Sequence, residues 1–119
     1  NFPFRKESSD LDIELPDGTT DDEYLVALED GVCHALSAGR PDLAIYLAGA
    51  DPFADDRLGR LALTKDGLAA RDAMVFSLCR DAGVPVAIAM AGGYARNIGD
   101  TVDIHLRTVR LAREMLADN

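Results

Sequence analysis

An α/β fold built on a parallel sheet is the architecture this sequence predicts, and three observations predict it. Two short runs, LAIYLA at residues 43–48 and VPVAIAMA at residues 84–91, are apolar at consecutive positions, as strands buried on both faces of a parallel sheet are. Stretches with apolar residues at helical spacing lie before, between and after these runs. Strand and helix therefore alternate, and such units make parallel sheets with right-handed crossovers and helices on both faces.

The first expected strand is residues 11–15, where Leu11, Ile13 and Leu15 alternate with Asp12 and Glu14. Pro16-Asp17-Gly18 then turns the chain. A helix follows, with Thr20 as N-cap and Glu23 three residues on in a capping box, and with Asp21 and Asp22 placing negative charge where the helix dipole favours it. Leu25, Leu28, Val32 and Leu36 give this helix an apolar stripe, and Gly39 followed by Pro41 ends it. The second strand is 43–48. Thr64 then caps a second helix, with Leu68, Val75 and Leu78 on its stripe and Gly83 at its end. The third strand is 84–91, and after GGYARNIG a last helix is expected over 100–117, with Val102, Leu106, Val109, Ala112 and Leu116 on one side.

Composition narrows the function classes. A chain of 119 residues is one domain's worth, and 48% hydrophobic with 28% charged residues reads as soluble and globular. No apolar run is long enough to span a bilayer, so no membrane partner is expected. The formal charge of −9, from 21 acidic against 12 basic side chains, opposes the phosphate contacts that supply most nucleic-acid affinity, so direct nucleic-acid binding is not expected either. No charged-then-apolar leader opens the sequence, and the expected location is cytoplasmic. Cys33 and Cys79 have no C-x-x-C spacing and read as small buried residues with free thiols.

Chemistry is expected where strands end. In open parallel sheets ligands bind outside the carboxyl ends of the strands. Gly49-Ala50-Asp51 follows the second strand and Gly92-Gly93-Tyr94 the third, so Asp51 and Tyr94 should face one crevice. A carboxylate there can ligate a metal, act as a base, or only accept hydrogen bonds from its own loop, as an Asp ahead of a Pro usually does. Two glycines let a backbone approach a ligand closely, and a phenol after them can donate to a developing oxyanion or simply pack with a wet hydroxyl. A phosphate-binding turn at Ala91-Gly92-Gly93-Tyr94 is a weaker reading, because the spacing is not G-x-G-x-x-G.

Four motifs in order carry a family resemblance: G-A-D at 49–51, D-R-L-G at 56–59, L-T-x-x-G-L at 63–68 and G-G-Y at 92–94. Together, and with the opening stretch NFPFRKESSDLDIELPDGTTDDEYLVAL, they resemble the carboxy-terminal part of the histone deacetylase superfamily, which includes acetoin-utilisation proteins and acetylpolyamine amidohydrolases. D-R-L-G and A-G-G-Y are most similar to its class IV-like bacterial branch. The resemblance implies an arginase/deacetylase-type sheet, here only its carboxy-terminal portion, with residues 1–119 forming part of a single catalytic domain. It implies zinc-dependent hydrolysis of an acetyl-amide, on acetylated lysine or a small acetylated amine. Position by position, it implies Asp51 as a zinc ligand, Tyr94 as the residue that polarises the amide carbonyl with zinc, and Leu58, Gly92 and Gly93 as the substrate pocket.

The same family draws two further zinc ligands from an Asp-x-His motif upstream, and a tandem histidine pair for proton transfer. This chain has His34 and His105 only. Asp103-Ile104-His105 spells Asp-x-His inside a predicted helix, where residues two apart point to nearly opposite sides and cannot grip one ion. The chain by itself is therefore expected to be inactive, with self-association or pairing with the missing upstream half. The rival expectation is a non-catalytic module that binds a partner or oligomerises through its uncovered sheet.

Overall fold

A computed structural model describes residues 5–117. Asn1 to Phe4 of the opening stretch lie outside the described residues. The elements are α1 (Asp21–Gly39), β1 (Ala44–Ala48), α2 (Lys65–Asp81), β2 (Val86–Met90) and α3 (Ile98–Leu116). β1 and β2 pair in parallel, from Ala44 against Val86 to Ala48 against Met90, with α2 as the crossover between them.

The expected α/β fold is present, and one of its three expected strands is not. Residues 11–15 form no strand. Asp12 is turned back on Ser9, whose N–H and hydroxyl donate to its carboxylate at 3.1 and 2.5 Å. Ile13 instead leans on α1, close enough that a Cβ on Gly31 would lie 2.6 Å from its Cδ1. Alternation marks a strand only where a neighbouring strand supplies hydrogen-bond partners, and here a helix face supplies apolar contact without them. The Pro16–Gly18 turn forms as expected, with Gly18 at φ 78° and Thr19 N–H on the Pro16 carbonyl.

The helix starts are linked to each other. Thr20 does not cap α1 through a backbone N–H; its hydroxyl donates to Glu23 Oε1 at 3.2 Å. Thr64 caps α2 by accepting from Gly67 N–H at 2.9 Å, and its own N–H and hydroxyl donate to the Asp21 carboxylate at 2.9 and 2.6 Å. Gly67 is required by this arrangement, since a Cβ there would sit 1.9 Å from Asp21 Oδ1. α1 ends on Gly39, and the left-handed turn falls on Arg40, at φ 44°, whose N–H bonds the Leu36 carbonyl.

Burial drives the packing of the three helices onto one face of the sheet. Val75, Phe76 and Cys79 of α2 meet Leu28, Val32 and Leu36 of α1, Leu111, Ala112 and Met115 of α3, and Ala44, Tyr46, Val86 and Ile88 of the strands. The opposite face of β1 is open, with Ile45 69% and Leu47 67% exposed. α3 also differs from the expected stripe. Ala112 and Leu116 pack inward as read, but Val102, Leu106 and Val109 are exposed, and Ile104 and Thr108 are the buried positions. The helix carries two apolar strips, and only the one on the Ile104–Thr108 line meets the core. Cys79 is buried as expected, whereas Cys33 is exposed because its neighbour Val32 takes the inward side of α1.

Candidate active site

β1 ends on Ala48, and the chain runs on through Gly49, Ala50 and Asp51 beside the chain that leaves β2. The Ala50 N–H donates to the Gly92 carbonyl at 2.6 Å, which continues the strand pairing into the two loops. Glycine is needed on both sides of Asp51: a Cβ on Gly49 would lie 2.6 Å from Asp51 Oδ1, and one on Gly59 would lie 2.0 Å from the Asp51 carbonyl oxygen. A Cβ on Gly92 would be 3.6 Å from the same carboxylate oxygen, so the Gly-Gly segment runs directly past Asp51. Half-buried Asp51 opens onto a cleft of about 310 Å³ whose other walls include Leu15, Asp17, Arg60 and Leu61.

Tyr94 stands at the end of the second loop, 55% exposed and with its backbone held on both sides. Its N–H donates to Asp56 Oδ2 at 2.6 Å, and its carbonyl accepts from Arg57 N–H at 3.0 Å. Gly93 is wedged behind it, where a Cβ would meet Thr101 Cγ2 at 2.9 Å and Ala50 Cβ at 3.0 Å. Exposed Leu58 projects from the loop in between, its N–H bound to Asp56 Oδ1. Asp51, Leu58, Gly92, Gly93 and Tyr94 therefore share one loop cluster at the carboxyl ends of both strands.

Behind this cluster lies a buried charged pair. Arg71 and Asp72 are 3% and 1% exposed, and the guanidinium meets Asp72 Oδ1 through Nε at 3.0 Å and Nη2 at 2.9 Å. Arg71 Nη1 donates to the Gly49 carbonyl at 2.6 Å, two residues before Asp51. The Asp72 carboxylate also accepts from the hydroxyls of Tyr46 in β1 and Thr108 in α3. Burial raises the Tyr46 hydroxyl far above the ordinary tyrosine range, with Arg71 opposing and Asp72 adding to the shift. Tyr24 is raised for the same leading reason, and the charge of Asp51 contributes to it.

Asp56, Arg71 and Asp72 were not singled out from the sequence. For Asp72 a signal existed, because Leu68, Asp72, Val75 and Cys79 fall on one helical stripe, and a carboxylate among core positions must have buried partners. The Asp-x-His of α3 behaves as its helical spacing requires. Asp103 pairs with Lys65 Nζ at 2.9 Å, Ile104 is buried, and His105 lies on the apolar side with Met90, Ile98 and Val102. His34 is exposed on α1.

A family profile described as "Histone deacetylase domain" matches residues 4–109. The chain belongs to the histone deacetylase family. It is 48% identical over 115 residues to an uncharacterized protein of Picosynechococcus sp., covering 97% of this chain and 38% of that protein. It is 38% identical over 98 residues to Histone deacetylase 2 of Arabidopsis thaliana, covering 79% of this chain and 25% of that one. Among solved structures it is similar to the HDA15 HD domain, with a TM-score of 0.64 and 28% identity over 81% of this chain and 26% of the other. The histone deacetylase chain described here thus spans well under half the length of these relatives.

Zinc is the metal generally used in the histone deacetylase family, and a catalytic zinc takes three protein ligands with a fourth position open. Asp51 offers one oxygen donor. Among the described residues, no group of three or more His, Cys, Asp or Glu side chains converges to hold a metal ion. The residues of this chain fit one ligand position and not a whole site. Among the described residues, no helix is long and apolar enough to cross a membrane.

Proposed function

We propose that residues 1–119 are the carboxy-terminal part of one deacetylase catalytic domain, and that the full-length protein hydrolyses the acetyl-amide of an acetylated lysine or small acetylated amine in a zinc-dependent reaction. The observation that supports this reading most is the pairing of Asp51 and Tyr94 at adjacent parallel strand ends, joined by the Ala50 N–H to Gly92 carbonyl bond. Asp51 would be one zinc ligand, with two more from residues outside this chain. When bound, zinc would polarise the amide carbonyl and lower the pKa of water. Tyr94, 55% exposed at the end of the second loop, would donate its O–H to the oxyanion that develops on that carbonyl. Leu58 and the side-chain-free backbone of Gly92 and Gly93 would line the space for the acetyl group. The chain alone would be inactive, and the full-length protein is read as acting in the cytoplasm.

Replacing Tyr94 by Phe in the full-length protein is the test. Loss of one oxyanion donor costs about 100- to 1,000-fold in kcat, so a Tyr94→Phe enzyme with unchanged turnover of an acetyl-lysine peptide would sink the assignment. Asp51→Asn should separately lower bound zinc, measured by elemental analysis.

A second reading, a partner-binding or oligomerising module, is supported by a different observation. Ile45 and Leu47 expose apolar side chains on the open sheet face, and Met90 at the end of β2 with Ile98, Val102 and Val109 does so along the outer strip of α3. Sedimentation of the 119-residue chain tests this, with self-association expected and a clean monomer at high concentration counting against it.

A further inference from the structure

We infer that Asp56 is the positioning residue for Tyr94, an assignment that rests on the deacetylase reading above. Asp56 is 7% exposed in a loop whose neighbours Asp55, Arg57 and Leu58 are all exposed. A carboxylate in such a place needs donors, and it has three, all from backbone. Oδ1 accepts the N–H groups of Leu58 at 2.9 Å and Gly59 at 2.8 Å, and Oδ2 accepts the N–H of Tyr94 at 2.6 Å, 38 residues away in sequence. One oxygen therefore shapes the D-R-L-G loop and the other anchors the tyrosine loop to it.

Two more hydrogen bonds make this a clasp. Arg57 N–H holds the Tyr94 carbonyl at 3.0 Å and Arg96 N–H bonds the Asp55 carbonyl at 3.1 Å, and together they form the antiparallel bridge of Asp56 with Ala95. Both sides of the Tyr94 backbone are thereby fixed, while the residue is more than half exposed. The backbone that Asp56 holds sets where the Tyr94 Cα–Cβ bond starts, and so which rotamers can bring the hydroxyl to the reacting carbonyl. A displacement of about 1 Å at a reacting centre can cost about 100-fold in rate.

Asparagine would keep the shape and fail the role. Its amide has one acceptor oxygen, so whichever way it turns, an NH₂ group faces either the Tyr94 N–H or the Leu58 and Gly59 N–H pair. The experiment uses the zinc-loaded full-length protein and an acetyl-lysine peptide, comparing Asp56→Asn, Tyr94→Phe, the double variant and, as a charge-matched control, Asp42→Asn, an exposed position ahead of β1 away from the loop cluster. Asp56→Asn is expected to lower kcat about 10- to 100-fold with KM and zinc content within about twofold, and Asp42→Asn to leave turnover unchanged. In the Tyr94→Phe background the same Asp56→Asn change should cost less than about threefold, because the two residues act as one unit. Full turnover in Asp56→Asn, or an equal loss with and without the Tyr94 hydroxyl, would overturn the inference.

Hydrogen exchange of the Tyr94 amide reads the clasp without activity and without a variant that must fold. Slow exchange in the unsubstituted protein, lost in Asp56→Asn, is expected, and a peptide-like rate in the unsubstituted protein would overturn the assignment. A fully active Tyr94→Phe enzyme would instead refute the catalytic reading of Tyr94, and the amide exchange would still decide whether Asp56 holds it.

Discussion

Truncating Asp72 to Ala should be among the most damaging single changes in this chain. The carboxylate is 1% exposed and accepts from Arg71, Tyr46 and Thr108, and so ties α2 to β1 and α3. Removing it leaves the 3% exposed Arg71 guanidinium buried without its counter-charge, a defect that costs about 3–5 kcal/mol. An unpartnered Tyr46 hydroxyl adds about 1 kcal/mol or more. Thr108 is relieved in part, because its hydroxyl already reaches the Ile104 carbonyl at 3.1 Å. The sum, about 4–6 kcal/mol, is comparable with the whole stability of a small domain, about 5–15 kcal/mol. Asp72→Asn also removes the counter-charge of Arg71 but keeps the hydrogen bonds, its amide oxygen serving Arg71 and Tyr46 while its NH₂ donates to Thr108, whose own proton turns to Ile104, so it should cost less than Asp72→Ala by about 1–2 kcal/mol. Urea unfolding followed by circular dichroism measures both variants. If Asp72→Ala cost less than about 1 kcal/mol, or no more than Asp72→Asn, the claim that a buried charge cluster braces the Gly49 loop would be wrong.

Glycine substitutions beside Asp51 should separate by geometry: in the full-length protein Gly49→Ala, which puts a methyl 2.6 Å from Asp51 Oδ1, should lower zinc content, while Gly92→Ala, at 3.6 Å, should retain it; equal zinc in both would refute the wrapped-carboxylate geometry. Gly67→Ala should destabilise by about 1–2 kcal/mol by expelling the Asp21 carboxylate from Thr64, and in an Asp21→Ala background it should become neutral or stabilising by up to about 1 kcal/mol through helix propensity. Thermal unfolding of the four proteins in that cycle checks it, and the same cost in both backgrounds would contradict the contact. Alkaline pH should unfold the chain, because Tyr46 is raised in the folded state by burial first: its contribution is complete below about pH 10, the value of an unfolded tyrosine, and is lost as pH rises above it. Tyrosinate absorbance assigned by difference against Tyr46→Phe should appear only together with loss of helix signal, and its appearance in a still-folded chain would refute the burial argument.

The sequence by itself determined the class of the fold and the location of its chemistry. Contiguous apolar runs at 43–48 and 84–91, too short for helices and bounded by Gly and Pro, mark the two strands, although one face of β1 is left open; Thr64 and Gly83 bracket α2 by local chemistry, and Gly-rich segments after both strands put Asp51 and Tyr94 at the ligand end of the sheet. These are short-range signals, set by periodicity, capping and backbone freedom within a few residues. What depended on distant partners was not legible. Residues 11–15 alternate like a strand yet have a helix for a neighbour, α3 carries two apolar strips and only docking chooses between them, and Thr20 yields the linking of the helix starts to Asp21. The same holds within the site. Asp56 reads as one acid among many until the fold brings Tyr94 to its second oxygen, and Arg71 reads as a surface cation until Asp72 and the Gly49 carbonyl close around it. A buried polar group is tolerated only when its partners arrive from other parts of the chain, and where those partners sit is decided by the tertiary structure alone.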